Sequence, residues 1–279
     1  MTWRIRGRDF DLSRRGMVMG IINTTPDSFS DGGSFLDPSS AVEHGLRLAA
    51  EGAGILDVGG ESTRPGAEPV SADEELRRTI PAIRLLREKT SALISIDTSK
   101  AVVARAALEA GADIINDVTA LRGDPAMAAL AAETGAGVAA MHMQGEPRTM
   151  QANPHYEDPV REVGEFFRQV LARSVASGID PMSIALDPGI GFGKSQAHNQ
   201  ALLRGLGAFL EFGRPLLVGA SRKSFLGWIA GTTDMADRFW PGVVLTALCR
   251  ERGARVFRVH DAKPHREALR MTEAILGDA

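Results

Sequence analysis

Polar and charged side chains close one apolar run after another along this chain, and their types suit a flat, donor-rich ring joined to an anion. Asp97, Asn116 and Asp187 each end such a run. A carboxylate or carboxamide in a pocket is costly unless something donates to it, and a heterocycle rich in N–H groups would do so. Each could equally cap the helix after its strand, but three on one rim favour a shared ligand. Basic groups come next: Lys223 ends a seventh run, while Arg258 and His260 stand two apart on an eighth, so strand alternation turns both the same way. Together with Arg64 they suit a phosphate or diphosphate. Taken singly, Arg222 or Lys223 reads as a solvated charge at a helix start. His260 and Asp261 are adjacent on a strand, face opposite sides and form no dyad. Asn23 opens the segment Asn23-Thr24-Thr25-Pro26-Asp27-Ser28-Phe29-Ser30-Asp31-Gly32-Gly33, which has more hydrogen-bonding capacity than a plain connector needs.

Several motifs fail on spacing. Gly189-Ile190-Gly191-Phe192-Gly193-Lys194-Ser195 resembles a P-loop, but the first glycine would have to stand at Pro188; it is not the dinucleotide fingerprint either. Gly219-Ala220-Ser221-Arg222-Lys223 lacks the closing glycine of a nucleophile elbow. Neither H-E-x-x-H nor paired cysteines occur, which argues against a zinc site. His44, His155, His198 and His265 read as surface residues, and His142 as a hydrogen-bonded wall residue.

The elements that carry these residues repeat. Short β-like runs at 17–23, 55–60, 93–99, 114–120, 138–143, 183–189, 215–221 and 256–261 alternate with alanine- and leucine-rich segments. Ser71-x-x-Glu74 reads as a capping box, and Asp37-Pro38, Asp124-Pro125 and Asp158-Pro159 as caps followed by proline in the first helical turn. Eight βα units in 279 residues, close to the roughly 250 typical of the architecture, predict an α/β fold, and favour a (β/α)8 TIM barrel forming one domain over 1–279 above an open doubly wound sheet. Trp3 to Leu12 alternates around Gly7 and predicts a short N-terminal β-hairpin closing the barrel floor. In such barrels active sites lie at the carboxyl ends of the strands, where the polar residues above fall.

Composition narrows the partners. Hydrophobic residues make up 44% and charged residues 24%, and 32 basic against 35 acidic side chains give a net charge of −3, so no overall positive field draws the chain to nucleic acid or to a membrane. The single cysteine, Cys249, rules out an intrachain disulfide. The N-terminal residues lack the apolar core of a signal peptide, and no apolar run approaches the ~20 residues that span a bilayer. The expected setting is the cytoplasm.

Taken in order, 23–33, 57–66, Ser95 to Lys100, Ile114 to Asp117, Met141 to Gly145, Leu186 to Lys194, Ser221 to Ser224 and Arg258 to Asp261 closely resemble the motifs of the dihydropteroate synthase family, the folate-pathway target of sulfonamides. The resemblance implies a transferase that condenses 6-hydroxymethyl-7,8-dihydropterin diphosphate with p-aminobenzoate. By the same resemblance Asp97, Asn116, Asp187 and Lys223 would hold the pterin. Asn23, Arg64, Arg258 and His260 would hold the diphosphate, with Mg²⁺ bridging it to Asn23 and a loop carboxylate. Thr63, Pro65, Phe192, Ser221 and Lys223 would shape the aminobenzoate slot. Lys223, Arg258, His260 and Asp97 are then the catalytic candidates, and a homodimer is the implied assembly. The chain departs from the family at Arg238-Phe239-Trp240-Pro241-Gly242 and Asp261-Ala262-Lys263-Pro264-His265, which bear on the packing of the last helices. Two other readings of the rim are a pterin-binding methyltransferase barrel without diphosphate chemistry and an aldolase-like barrel with Lys223 as Schiff base.

Overall fold

The computed structural model describes residues 1–25, 38–63 and 66–278. Alternation in the first dozen residues becomes the hairpin β1 (Thr2–Ile5) and β2 (Arg8–Asp11). Its turn places Arg6 at φ 48° and Gly7 at φ 74°, the double positive φ whose twist matches the flanking strands. The hairpin lies under the barrel: Trp3 is fully buried and its Nε1 donates to the Ser183 carbonyl at 2.8 Å.

Eight parallel strands follow: β3 (Met17–Asn23), β4 (Ile55–Gly59), β5 (Leu93–Asp97), β6 (Ile114–Asp117), β7 (Gly137–Met141), β8 (Ile184–Asp187), β9 (Leu217–Val218) and β10 (Val256–Val259). They run in the order β8-β7-β6-β5-β4-β3-β10-β9, and a parallel bridge between Leu186 and Leu216 closes the ring. Between them lie α1 (Pro38–Ala50), α2 (Ala72–Lys89), α3 (Ala101–Glu109), α4 (Met127–Thr134), α5 (Pro159–Ala176), α6 (Gln196–Arg204), α7 (Ser224–Ala230) and α8 (Phe239–Glu251), and α9 (Ala262–Leu276) ends the chain. The (β/α)8 barrel and its hairpin are therefore those expected from the repeat.

Two apolar layers hold it. Strand residues facing outward, such as Ile22, Leu56, Ile94, Ile115 and Val138, join the helices in the larger core. Inside the lower barrel, Met19, Ile55, Leu93, Ile114, Ala139, Ala185, Leu217 and Val256 pack on Trp3, Ile5 and Leu12. Because side chains alternate along a strand, the residue two positions beyond each of these points into the barrel one tier higher, toward the mouth.

Boundaries differ from expectation where polar residues leave the ladder. Strand β6 stops at Asp117, not at 120, because its carboxylate accepts from Thr119 N, Thr119 Oγ1 and Leu121 N and coils its own turn. Strand β9 keeps only two residues of the run 215–221. Ser71 and Asp158 cap α2 and α5 as expected. Asp124 does not cap α4, whose N-cap is Ala126; it accepts from Ala126 N and, through Oδ2, from Ala101 N at the start of α3. Asp37 lies outside the described residues. His265 is buried rather than superficial, since it sits on the inner side of α9 with Nδ1 2.7 Å from Thr246 Oγ1.

Removing the indole under the floor leaves a cavity that the strands cannot collapse to fill. Trp3→Ala should therefore cost about 3–5 kcal/mol, read as a lowered urea midpoint; a loss below about 1 kcal/mol would show that the hairpin does not seal the barrel.

Candidate active site

The tier above the apolar floor is ionic. Arg258, two residues beyond Val256 on β10, donates through Nε to Asp57 Oδ2 at 2.6 Å and through Nη2 to Asp97 Oδ2 at 2.7 Å. The same Asp57 oxygen accepts from Asn116 Nδ2 at 3.1 Å. Asp97, Asn116 and Asp187 are all buried; Asp97 and Asn116 are linked through Arg258 and Asp57, and Asp187 borders Gly219 beside Arg258, so the three side chains come together at one end of the barrel. Asp97 does not cap α3, whose first amide is taken by Asp124, and Asp187 Oδ1 accepts from Gly189 N at 2.7 Å.

Charge is tuned by burial. Desolvation raises the Asp97 carboxyl to about 7 despite the opposing pull of Arg258, with Asp57, Glu75 and Asp117 adding repulsion. Asp187 is raised for the same first reason, partly offset by Lys223. Lys223, the N-cap residue of α7, turns inward rather than to solvent: its ammonium donates to the Ile190 carbonyl and lies 4.3 Å from the centre of the Phe192 ring. Burial lowers it to about 7, with Asp187 pulling the other way.

Around the rim, His260 Nδ1 lies 3.0 Å from Ser221 Oγ, bringing the ends of the seventh and eighth barrel strands together. Arg222, at φ 59°, reaches Asp261 at 2.8 Å instead of standing free. Asn23 ends β3 beside Gly59 in register, and Thr63 is half-buried in the next loop. Arg64, Pro65 and the 26–37 part of the first loop, with any carboxylate there, lie outside the described residues. Arg258 and His260 share a strand end but have different partners: Arg258 goes down to the carboxylates, His260 across to Ser221.

Two residues escaped the sequence reading. Asp57 falls in the run 55–60 and opens the 57–66 motif without a role of its own, although a lone charge in Ile-Leu-Asp-Val-Gly points into the barrel by alternation. Lys194, within the near-P-loop, is buried, with Nζ 3.0 Å from His142 Nδ1, 2.9 Å from the Phe192 carbonyl and 3.3 Å from the His142 carbonyl. Burial lowers it to about 7 and lowers His142 to about 2. The glycines flanking it are steric: a Cβ at Gly189 would overlap the His142 carbonyl, and one at Gly193 the Gln144 carbonyl. That loop is thus pinned against the end of β7 and carries Ile190 and Phe192 to Lys223.

A second ionic clasp supports the loop after β4. Lys100 Nζ lies 2.5 Å from Glu61 Oε2 and 2.6 Å from Glu75 Oε2, while Glu61 Oε1 accepts from Val70 N at 3.0 Å. Glu61 so joins both ends of the 61–70 segment to α2 and to the turn after β5.

With this geometry in view, comparison with known proteins is specific. Residues 19–260 match the family described as pterin binding enzyme. The dihydropteroate synthase of Escherichia coli K12 is 45% identical over 271 residues, covering 97% of this chain and 95% of that protein. A Xanthomonas albilineans dihydropteroate synthase solved with 4-aminobenzoic acid is 45% identical with a TM-score of 0.92, covering 99% of both chains. The same organism's enzyme in complex with 7,8-dihydropteroate is 42% identical with a TM-score of 0.87, covering 98% of both.

The clasp yields a stability test. The Glu75 side chain is fully buried and Oε1 has no partner, so Lys100→Met strands a charge and should cost about 3–5 kcal/mol. Adding Glu75→Gln should restore most of it in urea titrations; a double variant as unstable as the single one would mean that the cost lies elsewhere than in the orphaned carboxylate.

Proposed function

The chain belongs to the dihydropteroate synthase family of pterin-binding enzymes, and we propose that the barrel mouth works by holding the pterin on its acceptor floor while the diphosphate leaves. The reaction joins 6-hydroxymethyl-7,8-dihydropterin diphosphate to p-aminobenzoate, giving 7,8-dihydropteroate and pyrophosphate. The observation that carries the assignment of roles is the buried group Asp97, Asn116 and Asp187 beside Arg258, a constellation that is costly unless a ligand donates to it.

In this reading Asp97, Asn116 and Asp187 accept from the ring N–H groups, and Lys223 closes one edge of the ring against Phe192. As the carbon–oxygen bond to the diphosphate breaks, positive charge spreads into the pterin, where the buried carboxylates stabilise it. Arg258 balances those carboxylates; by the family resemblance it, His260 and Arg64 would hold the departing anion, and Thr63, Pro65, Phe192, Ser221 and Lys223 would shape the aminobenzoate slot. The aniline nitrogen is unprotonated near neutrality, attacks the methylene carbon and then gives up a proton, so no strong general base is needed. Asn23 and a carboxylate of the 26–37 segment would hold Mg²⁺. A magnesium ion held by so few protein groups would take its remaining ligands from diphosphate oxygens and water. When bound, it would neutralise charge on the leaving group.

We also propose a homodimer in the cytoplasm. Trp240, Val244 and Leu248 are exposed at four-residue spacing on α8, and Met271 and Ile275 are exposed at the same spacing on α9, which packs on α8; such apolar faces suit a second copy. No helix among the described residues is long and apolar enough to cross a membrane.

Incubating the protein with the pterin diphosphate, p-aminobenzoate and Mg²⁺ should give dihydropteroate and pyrophosphate in equal amounts; absence of either product would refute the reaction. Acceptance at Asp97 is strongest from the carboxylate. Since its proton is held up to about 7, its ionisation should raise pterin affinity as pH increases through that value, while Lys223, also near 7, loses its charge over the same range and opposes the rise; Asp97→Asn should remove the rising component from whatever binding remains. A slope unchanged in the variant would exonerate Asp97. For the assembly, sedimentation of the native chain should report a dimer and Trp240→Glu/Ile275→Glu a monomer; a monomeric native chain would end that reading.

A further inference from the structure

The buried carboxylate of Asp57 has no assigned part in the reaction, and the fold alone does not account for it. It is fully buried, one tier below the mouth. In register on the neighbouring strand stands Ser95, yet Ser95 Oγ and Asp57 Oδ1 are both without a partner. A hydrocarbon side chain would fill that place without the desolvation cost. What the carboxylate does make are two contacts through Oδ2: Arg258 Nε at 2.6 Å and Asn116 Nδ2 at 3.1 Å.

A carboxamide has one accepting and one donating end, and a carboxylate can only accept from it. Asn116 must therefore turn Nδ2 down to Asp57, which leaves Oδ1 as the end available to a ligand. The guanidinium of Arg258 is likewise keyed edge-on, with Nε to Asp57 and Nη2 to Asp97. We propose that Asp57 is a positioning residue that keeps the Asn116 carboxamide oxygen, rather than its nitrogen, facing the pterin, and locks Arg258 beneath the same ring. This rests on the functional reading above and adds the element that keeps Asn116 an acceptor toward the ring. A ring presenting an acceptor where the pterin presents N–H would be rejected, because two acceptors would meet in a buried site.

The test uses the full chain and 6-hydroxymethylpterin as the calorimetric probe, with thermal melts alongside. Asp57→Asn admits either orientation at Asn116 and should weaken pterin binding by about 10- to 100-fold. The exchange Asp57→Asn/Asn116→Asp keeps the number of carboxylates while restoring an acceptor at 116 whichever way that side chain turns. It should recover at least about tenfold of the lost affinity. In the native chain, amide NMR with labelled asparagine should find the Asn116 Nδ2 protons protected from exchange both with and without pterin. Asp57→Asn binding as tightly as the native chain, a double exchange no better than the single one, or Nδ2 protons that change partner on binding would each overturn the proposal. The NMR arm decides it even if a variant fails to fold. A native chain that binds no pterin would instead overturn the functional reading itself.

Discussion

A guanidinium held between two carboxylates inside a barrel is the constraint on which the mouth depends. Arg258 cannot be buried alone, and neither can Asp57 or Asp97. Together, at 2.6 and 2.7 Å, they neutralise most of one another and leave a floor that still has unspent accepting capacity. Any ligand that lies on that floor is chosen by what it can donate. The apolar tier beneath, sealed by Trp3, keeps water from reaching the network from below, and low local polarity is what lifts the Asp97 proton to about 7.

The loops around the floor are fastened by ions and carbonyls buried against the barrel wall. Lys194 gathers the carbonyls of His142 and Phe192, and Lys100 gathers Glu61 and Glu75. Each lysine joins segments far apart in sequence, so the residues that meet the substrate are carried on short spans between fixed points. A site that must hold a flat ring within a few tenths of an ångström gains from such fastening, because misplaced groups lose much of their effect.

The repeat was readable because local signals agreed: apolar runs of strand length, a capping serine at 71 and an Asp158-Pro159 start. The ends of the apolar runs also bring Asp97, Asn116, Asp187, Lys223 and Arg258 to one end of the barrel. Where the reading faltered, long-range partners had overridden local ones. Asp124 serves the helix before its own because α3 begins within its reach, and His265 is buried because α8 supplies Thr246.

By itself the amino-acid order determined the barrel, the end of it that carries chemistry, and, through its motifs, the family. It did so because strand alternation and helix caps are set by neighbours within a few residues. Only the tertiary structure decided who pairs with whom across the barrel. It made Asp57 the hub of the floor, took Arg258 down to the carboxylates while His260 turned to Ser221, and drew Lys194 and Lys223 out of solvent. Those choices depend on contacts between strands tens to hundreds of residues apart, where burial raises the cost of every unpaired charge and so selects one arrangement among many that the spacing allows.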